Sequence, residues 1–338
     1  MKGKAHPVLG VFPPTVLDAM RGLEDRMLQQ AVSRDSRLAE WTREPIAAGG
    51  KRVRPLLLLT AFEACGGAAK GAQGRSDAVD AAVALELVHT ASLVHDDIMD
   101  EASERRGKAS TYAAHGRDGA LLVGDYLFTQ AFALAATLPK QAMAMTADAC
   151  RRLCEGQLAE DALRKRLAAG APADATALAE VRAAYIGVIR DKTAALLAAG
   201  CGIGATMAGA DAATVQAMYR YGDAIGHAFQ VLDDVLDVAG DPVWTGKPAG
   251  GDYLTGKWSS PYLNHQERGG ALAPLPTRKA GDFPAVRAAL FASGAVAASQ
   301  LEASGYTQAA LLEVQRLPAS PAATALSRLA ELLMERAA

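Results

Sequence analysis

Two aspartate triplets of the same form are the residues in this sequence best suited to chemistry. Each has the spacing Asp-Asp-x-x-Asp, and each lies in a largely apolar segment. They are Asp96, Asp97 and Asp100, and Asp233, Asp234 and Asp237. In a helix, positions i, i+1 and i+4 fall within about 100° of arc, so each triplet would place three carboxylates on one face. Such crowding of like charges in an apolar helix is costly unless a cation compensates it.

The triplets predict a divalent metal site. Carboxylate oxygens are hard ligands that suit Mg²⁺, with Mn²⁺ a second candidate. Magnesium usually bridges protein carboxylates to substrate phosphates, so two clusters indicate a diphosphate held by several metal ions. The alternative for a single triplet is a solvated acidic helix face, and the second copy argues against it.

Basic residues follow both triplets, as a diphosphate site requires. Those near the triplets are Arg105, Arg106 and Lys108 after the first, and Lys247 and Lys257 after the second. The string GGKRVRP adds Lys51, Arg52 and Arg54 at the start of an apolar helix. Arginine grips phosphate bidentately and lysine acts as a point charge. Each cation alone would be a solvated surface charge, but their joint placement favours phosphate binding.

The pattern of apolar residues predicts an all-α protein. The chain has 338 residues, which is enough for two ordinary domains or one large helical domain. Apolar residues recur at three- and four-residue spacing over 56–64, 81–94, 120–136 and 213–238, and strand signals are nearly absent. Since no long linker interrupts the pattern, we expect a single helical bundle over 1–338. Its motif-bearing core would span about 46–261, with C-terminal helices at about 283–336 completing it.

Charge and cysteine content exclude several functions. The net charge of −2 provides no overall field for a nucleic acid, so phosphate binding must be local. The four cysteines are too scattered for a disulfide framework or a zinc site.

Two glycine-rich strings resemble nucleotide-binding motifs only superficially. GDYLTGK lacks a preceding strand, and Trp258 stands where a P-loop needs Ser or Thr. GCGIGA follows the helical run KTAALLAA, so its glycines predict close helix packing.

The sequence predicts a cytoplasmic protein without a membrane span. Pro7, Pro13 and Pro14 interrupt the N-terminus before an apolar run of signal-peptide length forms. The longest uncharged stretch, 193–210, is mostly Ala and Gly, which favours a packed interior helix.

The ordered motifs resemble those of the trans-isoprenyl diphosphate synthase family, the polyprenyl synthetases of geranylgeranyl or long-chain type. The matching strings, in order, are GGKRVRP, LELVHTASLVHDDIMDEASERRGKAST, LLVGDYLF, the Lys192-Thr193 pair, YGDAIGHAFQVLDDVLDV and GKPAGGDYLTGKWSSP. Agreement across the whole set is far more specific than either triplet alone.

The resemblance implies a role for each candidate residue. The six aspartates would hold Mg²⁺ on an allylic diphosphate, which Arg105, Lys192 and Lys247 would also contact, with Lys257 as an addition. The diphosphate of isopentenyl diphosphate would be bound by Lys51, Arg54, His89 and Arg106. Thr193 and Gln230 would flank the reacting carbons. His89 also lies seven residues before Asp96, about two turns away on the same helix face.

The implied enzyme is a magnesium-dependent prenyltransferase that makes linear all-trans polyprenyl diphosphates. Metals and cations would stabilise charge on the leaving diphosphate, so the allylic carbon to oxygen bond ionises. Isopentenyl diphosphate would then attack the cation and lose a proton, which the departed diphosphate would accept. The resemblance also implies a homodimer.

Product length would depend on the residues four and five positions before the first triplet. These are Ser92 and Ala91, and such small side chains favour geranylgeranyl diphosphate or a longer product. Phe128 or Phe132 is a candidate for the floor of the product tunnel. The preferred allylic starter remains open.

Two other classes share part of the pattern. A class I terpene cyclase would have one such triplet, but its second metal motif differs and its pocket is usually richer in aromatic residues than this chain, at 5%. A non-catalytic partner subunit of a synthase is expected to have lost a triplet, and both are intact here.

Overall fold

The computed structural model describes residues 10–172, 174–240, 249–272 and 278–335. Over these residues the protein is almost entirely helical, which confirms the all-α prediction.

The first part of the chain forms helices around one short hairpin. Its elements are α1 (Pro14–Arg21), α2 (Leu23–Gln29), α3 (Ser36–Ala47), α4 (Val53–Ala64), a 3₁₀ turn (Gly67–Lys70), α5 (Gly71–Met99), β1 (Glu104–Arg105), β2 (Lys108–Ala109) and α6 (Thr111–Ala135).

The remainder is helical as well. Its elements are α7 (Lys140–Ala169), α8 (Ala175–Val188), a π-helical turn (Ile189–Ala194), α9 (Ala195–Ala208), α10 (Ala212–Ala239), α11 (Gly251–Thr255), α12 (Ser260–Glu267), a 3₁₀ turn (Ala280–Asp282), α13 (Phe283–Ala292), α14 (Ala295–Val314) and α15 (Pro321–Glu335).

These elements form two compact units. Unit 1 takes the chain up to Cys150, together with Leu196–Gly222 and Val314–Leu326. Unit 2 takes Arg151–Ala195, Asp223–Glu313 and the chain from Ser327 onwards. The first aspartate triplet therefore belongs to unit 1 and the second to unit 2. The expectation of one domain over 1–338 stays a prediction.

Several helices begin at side chains that cap their free N–H groups. Asp35 accepts from the N–H groups of Arg37 and Leu38 at the start of α3. Ser110 caps α6, and Asp174 caps α8, each by accepting from the residue three positions on. These short polar side chains fix where the apolar helices start.

The core of unit 1 surrounds α5. Every residue from Ala81 to Val88 is buried, and Leu57–Leu59 of α4 are at most 1% exposed. The glycines of GCGIGA lie against these helices: a Cβ atom at Gly200 would come within 2.9 Å of Leu85. The prediction that these glycines serve helix packing is confirmed.

Unit 2 has its own apolar core. The end of α10 packs there with residues from α11 to α14, namely Val235, Val238, Tyr253, Tyr262, Phe283, Leu290, Ala295 and Val296. This core supports the helix turn that carries the second triplet.

The hairpin is an element that the sequence did not predict. Its strands have two residues each and pair antiparallel, with Arg105 opposite Lys108. So short a segment has no apolar alternation from which a strand could be inferred.

One stretch of the described chain, Gly67–Met99, is long and apolar enough to cross a membrane. Its most apolar window is mostly buried within the protein, as expected of the core helix α5.

Substituting Gly204 tests the close packing of α9 on α4. A Cβ atom at Gly204 would overlap the carbonyl oxygen of Leu58, which is backbone and cannot move away easily. We expect Gly204→Ala to lower the free energy of unfolding by about 2–3 kcal/mol in denaturant titration.

Gly187→Ala is the matched control, because nothing lies within 4 Å of the added methyl group in α8. It should be neutral or stabilise by about 0.5–1 kcal/mol. Equal losses from both substitutions would contradict the packing account.

Candidate active site

The first triplet occupies the last turn of α5. Asp96 is half-buried, Asp100 is exposed just after the helix, and Asp97 is only 2% exposed. One oxygen of Asp97, Oδ1, accepts hydrogen bonds from Nε and Nη2 of Arg105 at 2.8 and 2.5 Å. The middle aspartate is thus tied to a predicted phosphate ligand, while its two neighbours are more exposed.

The hairpin places Arg105 and Arg106 beside α5. Arg106 and Gly107 form its two-residue turn with φ of 55° and 76°. Positive φ at both positions is the geometry of a type I′ turn, whose twist suits a two-stranded ribbon. The guanidinium of Arg106 lies over Gly50, since Nη1 would be 2.9 Å from a Cβ atom there. The first basic motif and the hairpin are therefore in contact.

His89 lies within a cluster of arginines in unit 1. Burial lowers its pKa well below the usual value, and the positive charges of Arg54, Arg106, Arg52 and Arg105 lower it further. The imidazole is therefore neutral near pH 7 and does not add to the positive charge. Burial also lowers the pKa of Arg54, and the charge of Arg106 adds to that effect. Lys51 is exposed at the edge of this motif.

A cavity of about 410 Å³ adjoins the hairpin. Charged residues in its lining are Glu44, Asp97, Arg105, Arg106 and Lys108. Its size is within the range of small-molecule pockets. Two of the predicted diphosphate ligands therefore border open space.

The second triplet lies near the end of α10. Asp233 is exposed, whereas Asp234 is 1% exposed. The hydrogen bonds that Asp234 accepts come from Tyr185 OH at 2.5 Å, Gln230 Nε2 at 3.0 Å, Lys257 Nζ at 3.3 Å and the Ser260 N–H at 3.3 Å. As in the first triplet, the middle carboxylate is buried and holds a cationic side chain.

Asp237 has a different environment. Its Oδ1 and Oδ2 accept the N–H groups of Gly251 and Asp252 at 3.0 and 3.1 Å, which fixes the start of α11. Burial raises the pKa of Asp237, and it raises the pKa of Asp252 to about 7. The third aspartate thus anchors the helix that precedes Lys257.

Both described lysines predicted to bind the allylic diphosphate, Lys192 and Lys257, are paired with carboxylates. Burial would lower the pKa of Lys257, but Asp234, Asp252 and Glu160 outweigh it and raise the pKa. Lys192 donates to Glu160 Oε2 at 2.5 Å. Lys247, also predicted to bind the diphosphate, lies outside the described residues.

Lys192 and Thr193 lie in the π-helical turn between α8 and α9. Thr193 Oγ1 donates to Gln230 Oε1 at 2.9 Å, so the predicted pair is in contact. A Cβ atom at Gly156 would lie 2.7 Å from the backbone nitrogen of Lys192, and one at Gly226 would overlap Ala194. The wider turn is thus packed against two glycines, and π-turns of this kind are frequent at functional sites.

The two predicted chain-length residues differ in exposure. Ala91 is fully buried, while Ser92 is half-buried and donates to the carbonyl oxygen of His89 at 2.8 Å. Phe128 of α6 lies beside His95, with ring centroids 5.7 Å apart and the rings tilted by 49°. Ser92 is therefore the more exposed residue of the pair.

Several residues at these sites carried little or no signal in the sequence. Tyr185, Ser260 and Glu86 are single polar residues in apolar helices, where a buried structural role is the usual one. Glu160 is an acidic residue of α7, and nothing in the sequence connected it with Lys192. Only their contacts across helices identify them.

The carboxylates fit a metal that is shared with a ligand. Among the described residues, no group of three or more His, Cys, Asp or Glu side chains could hold a metal ion by itself. Asp96 and Asp100 in unit 1 and Asp233 in unit 2 are nonetheless more exposed than the middle aspartates. Carboxylates of this kind suit Mg²⁺, which usually completes its octahedron with substrate phosphates and water.

Comparison with known proteins identifies the family of this chain. The polyprenyl synthetase family model matches residues 35–271, so the chain belongs to the polyprenyl synthetase family. It is 40% identical over 228 residues to a short chain isoprenyl diphosphate synthase of Methanothermobacter thermautotrophicus, covering 66% of this chain and 65% of that protein.

Two further relatives match over nearly their full length. The chain is 32% identical to heptaprenyl diphosphate synthase component 2 of Geobacillus stearothermophilus, covering 94% of this chain and 96% of the relative. A crystal structure of polyprenyl synthase from Caulobacter crescentus, complexed with calcium and isoprenyl diphosphate, superposes with a TM-score of 0.84 at 31% identity. The superposition covers 99% of this chain and 100% of that one. These likenesses confirm the predicted family and the all-α fold.

Substitution at Gly226 tests whether the π-turn positions Lys192 and Thr193. The added methyl group of Gly226→Ala would overlap Ala194 and displace the turn. We expect kcat for prenyl transfer to fall by about 100-fold, because small misplacements of reacting groups are costly.

Gly305→Ala in α14 is the control, since nothing lies within 4 Å of its methyl group. It should keep kcat within about twofold. A normal kcat for a folded Gly226→Ala protein would refute the role of the turn.

Proposed function

We propose that the protein condenses isopentenyl diphosphate with an allylic diphosphate to make a linear all-trans polyprenyl diphosphate. The observation that carries the proposal is the arginine cluster around a neutral His89, beside the carboxylates of the first triplet. A diphosphate supplies the negative charge that such a cluster of cations lacks. Family membership supports the same reaction.

The arginine cluster is proposed to bind the diphosphate of isopentenyl diphosphate. Lys51, Arg54 and Arg106 would supply charge, and His89 would donate one neutral hydrogen bond. Because burial lowers the pKa of Arg54 and Arg106, these guanidiniums gain most from an anionic partner. Arg105, held by Asp97, would contact the allylic diphosphate.

Further residues are proposed to take part in the ionisation step. Lys192 and Lys257 would contact the allylic diphosphate, as would Lys247 outside the described residues. Thr193 and Gln230 already form a hydrogen bond and would flank the reacting carbons. The family's divalent metal, proposed to be Mg²⁺, would neutralise charge on the departing diphosphate.

We propose that the aspartates of both triplets bind the metal. Their side chains differ in how exposed they are. Asp96, Asp100 and Asp233 are less buried than Asp97 and Asp234, and we propose that they bind the metal directly. Asp97, Asp234 and Asp237 were predicted as ligands too, and their oxygens accept the hydrogen bonds described above. Ligation by these three stays a prediction.

We propose a product of twenty carbons or more. The support is the small, half-buried Ser92 one turn before Asp96. The homodimer and the cytoplasmic location also remain proposals.

Product analysis tests the proposed function. The purified protein would be incubated with Mg²⁺, isopentenyl diphosphate and, in turn, dimethylallyl, geranyl, farnesyl or geranylgeranyl diphosphate, with products read by mass spectrometry. We expect a ladder ending at twenty carbons or more, and Ser92→Phe should shorten it while Ser92→Ala should not. Cyclic hydrocarbon would indicate a terpene cyclase, and no product would indicate a non-catalytic subunit.

Substituting Asp96 and Asp233 tests the proposed metal sites. Asp96→Ala and Asp233→Ala should each lower kcat by about 100-fold or more, since each removes a ligand that stabilises developing charge. The exposed Asp25 in α2 provides a control, and Asp25→Ala should leave kcat within about twofold. Circular dichroism would establish that the helices persist. Near-normal turnover in either variant would show that the assignment is wrong.

A further inference from the structure

We propose that the buried pair of Arg52 and Glu86 is a positioning device for the isopentenyl diphosphate site, an inference that rests on the proposed function. Arg52 lies in the string GGKRVRP between two predicted diphosphate ligands, Lys51 and Arg54. Its own guanidinium points into the protein instead. The sequence counted Arg52 among the basic residues of the first motif but gave it no binding role of its own, and Glu86 was not among the predicted residues.

The contacts of Arg52 join three helices of unit 1. Nη1 donates to Glu86 Oε1 of α5 at 3.0 Å, and Nη2 donates to the Ile46 carbonyl of α3 at 2.8 Å. Nη2 also donates to Glu24 Oε1 of α2 at 3.0 Å. The Arg52 side chain is only 6% exposed. A guanidinium with these partners is committed to the protein interior and cannot also bind substrate.

The backbone at Arg52 explains why such anchoring is needed. Arg52 has a φ of 47° and is the residue before α4 begins. A non-glycine residue in this left-handed region costs of order 1 kcal/mol and persists only where its surroundings hold it. The strained turn orients Lys51 on one side and the first turn of α4, with Arg54, on the other. The side-chain contacts of Arg52 therefore fix the direction of both predicted ligands.

Glu86 links the same pair to the arginine cluster. Glu86 is 2% exposed and lies three residues before His89 on α5. Its negative charge opposes the lowering of the pKa of Arg54 and Arg106 that burial causes. Its Oε2 atom is buried without a hydrogen-bond partner in the described part of the chain, as is Arg54 Nε. Unpaired buried polar atoms lower the free energy of unfolding. The arrangement therefore holds the charges in place while it destabilises the fold.

Two roles for Glu86 predict opposite results. If Glu86 only offset positive charge, its removal would leave the cluster more cationic and strengthen diphosphate binding. If it positions Arg52, its removal leaves a buried guanidinium without its main partner, and the turn carrying Lys51 and Arg54 relaxes. Diphosphate binding would then weaken despite the extra positive charge. The sign of the change separates the two roles.

The test measures steady-state kinetics of Glu86→Gln, which keeps the shape of the side chain. We expect the KM for isopentenyl diphosphate to rise by about tenfold or more, the cost of a broken buried pair, with kcat and the KM for the allylic substrate within about threefold. Glu86→Asp should recover part of the affinity. Titration calorimetry with isopentenyl diphosphate alone should show the same loss without turnover.

Asp80→Asn is the matched control. Asp80 of α5 pairs with Arg26 of α2 at 2.5 Å, so it also joins α2 to α5, but it has no part in the arginine cluster. Asp80→Asn should lower the melting temperature yet keep the KM for isopentenyl diphosphate.

Several results would overturn the proposal. They are an unchanged or lower KM in Glu86→Gln, and an equal rise in KM for both substrates. If Glu86→Gln does not fold, Glu24→Gln removes only the exposed end of the network, and it should raise the same KM by about twofold to threefold. An unchanged KM there would count against the proposal. If the unmodified protein itself fails to consume isopentenyl diphosphate, the proposed function fails instead.

Discussion

The structure depends on compensating charges that are buried in apolar helices. An isolated carboxylate or guanidinium inside a helix core is costly, and three buried carboxylates here are each matched by a cationic partner. Asp97 holds Arg105, Asp234 holds Lys257, and Glu86 holds Arg52. In every case the partner belongs to a sequence segment that the reaction would use. Pairing of the buried charges therefore also fixes the positions of the proposed binding groups.

This constraint explains why the two triplets look alike. In each, the middle aspartate is nearly inaccessible and the first is more open. The buried carboxylate fixes a cation and the loop or helix that carries it. The hairpin at Arg105 and the short helix before Lys257 gain fixed positions in this way, although neither has a large core of its own.

Much of the fold and the candidate site could be predicted from sequence, because both have local patterns. Helical periodicity located α5 and α10, and the repeated triplets with their flanking cations indicated diphosphate chemistry. The partners of those groups could not be predicted. Tyr185 and Glu86 are single residues whose significance depends on a helix distant in sequence, and the π-turn depends on glycines of two other helices. Helical geometry places all three carboxylates of a triplet on one face. It therefore could not predict that the middle one is buried and the first more exposed.

The central claim is that the carboxylates of the first triplet and the arginine cluster, both in unit 1, are built for a metal and a diphosphate together. Thermal unfolding would be followed with Mg²⁺ alone, with inorganic diphosphate alone, and with both. We expect a large rise in melting temperature only with both, equivalent to about 3 kcal/mol at a hundredfold excess over Kd, because no group of described residues could hold the metal unaided. The same rise with Mg²⁺ alone, or none with the mixture, would contradict the account.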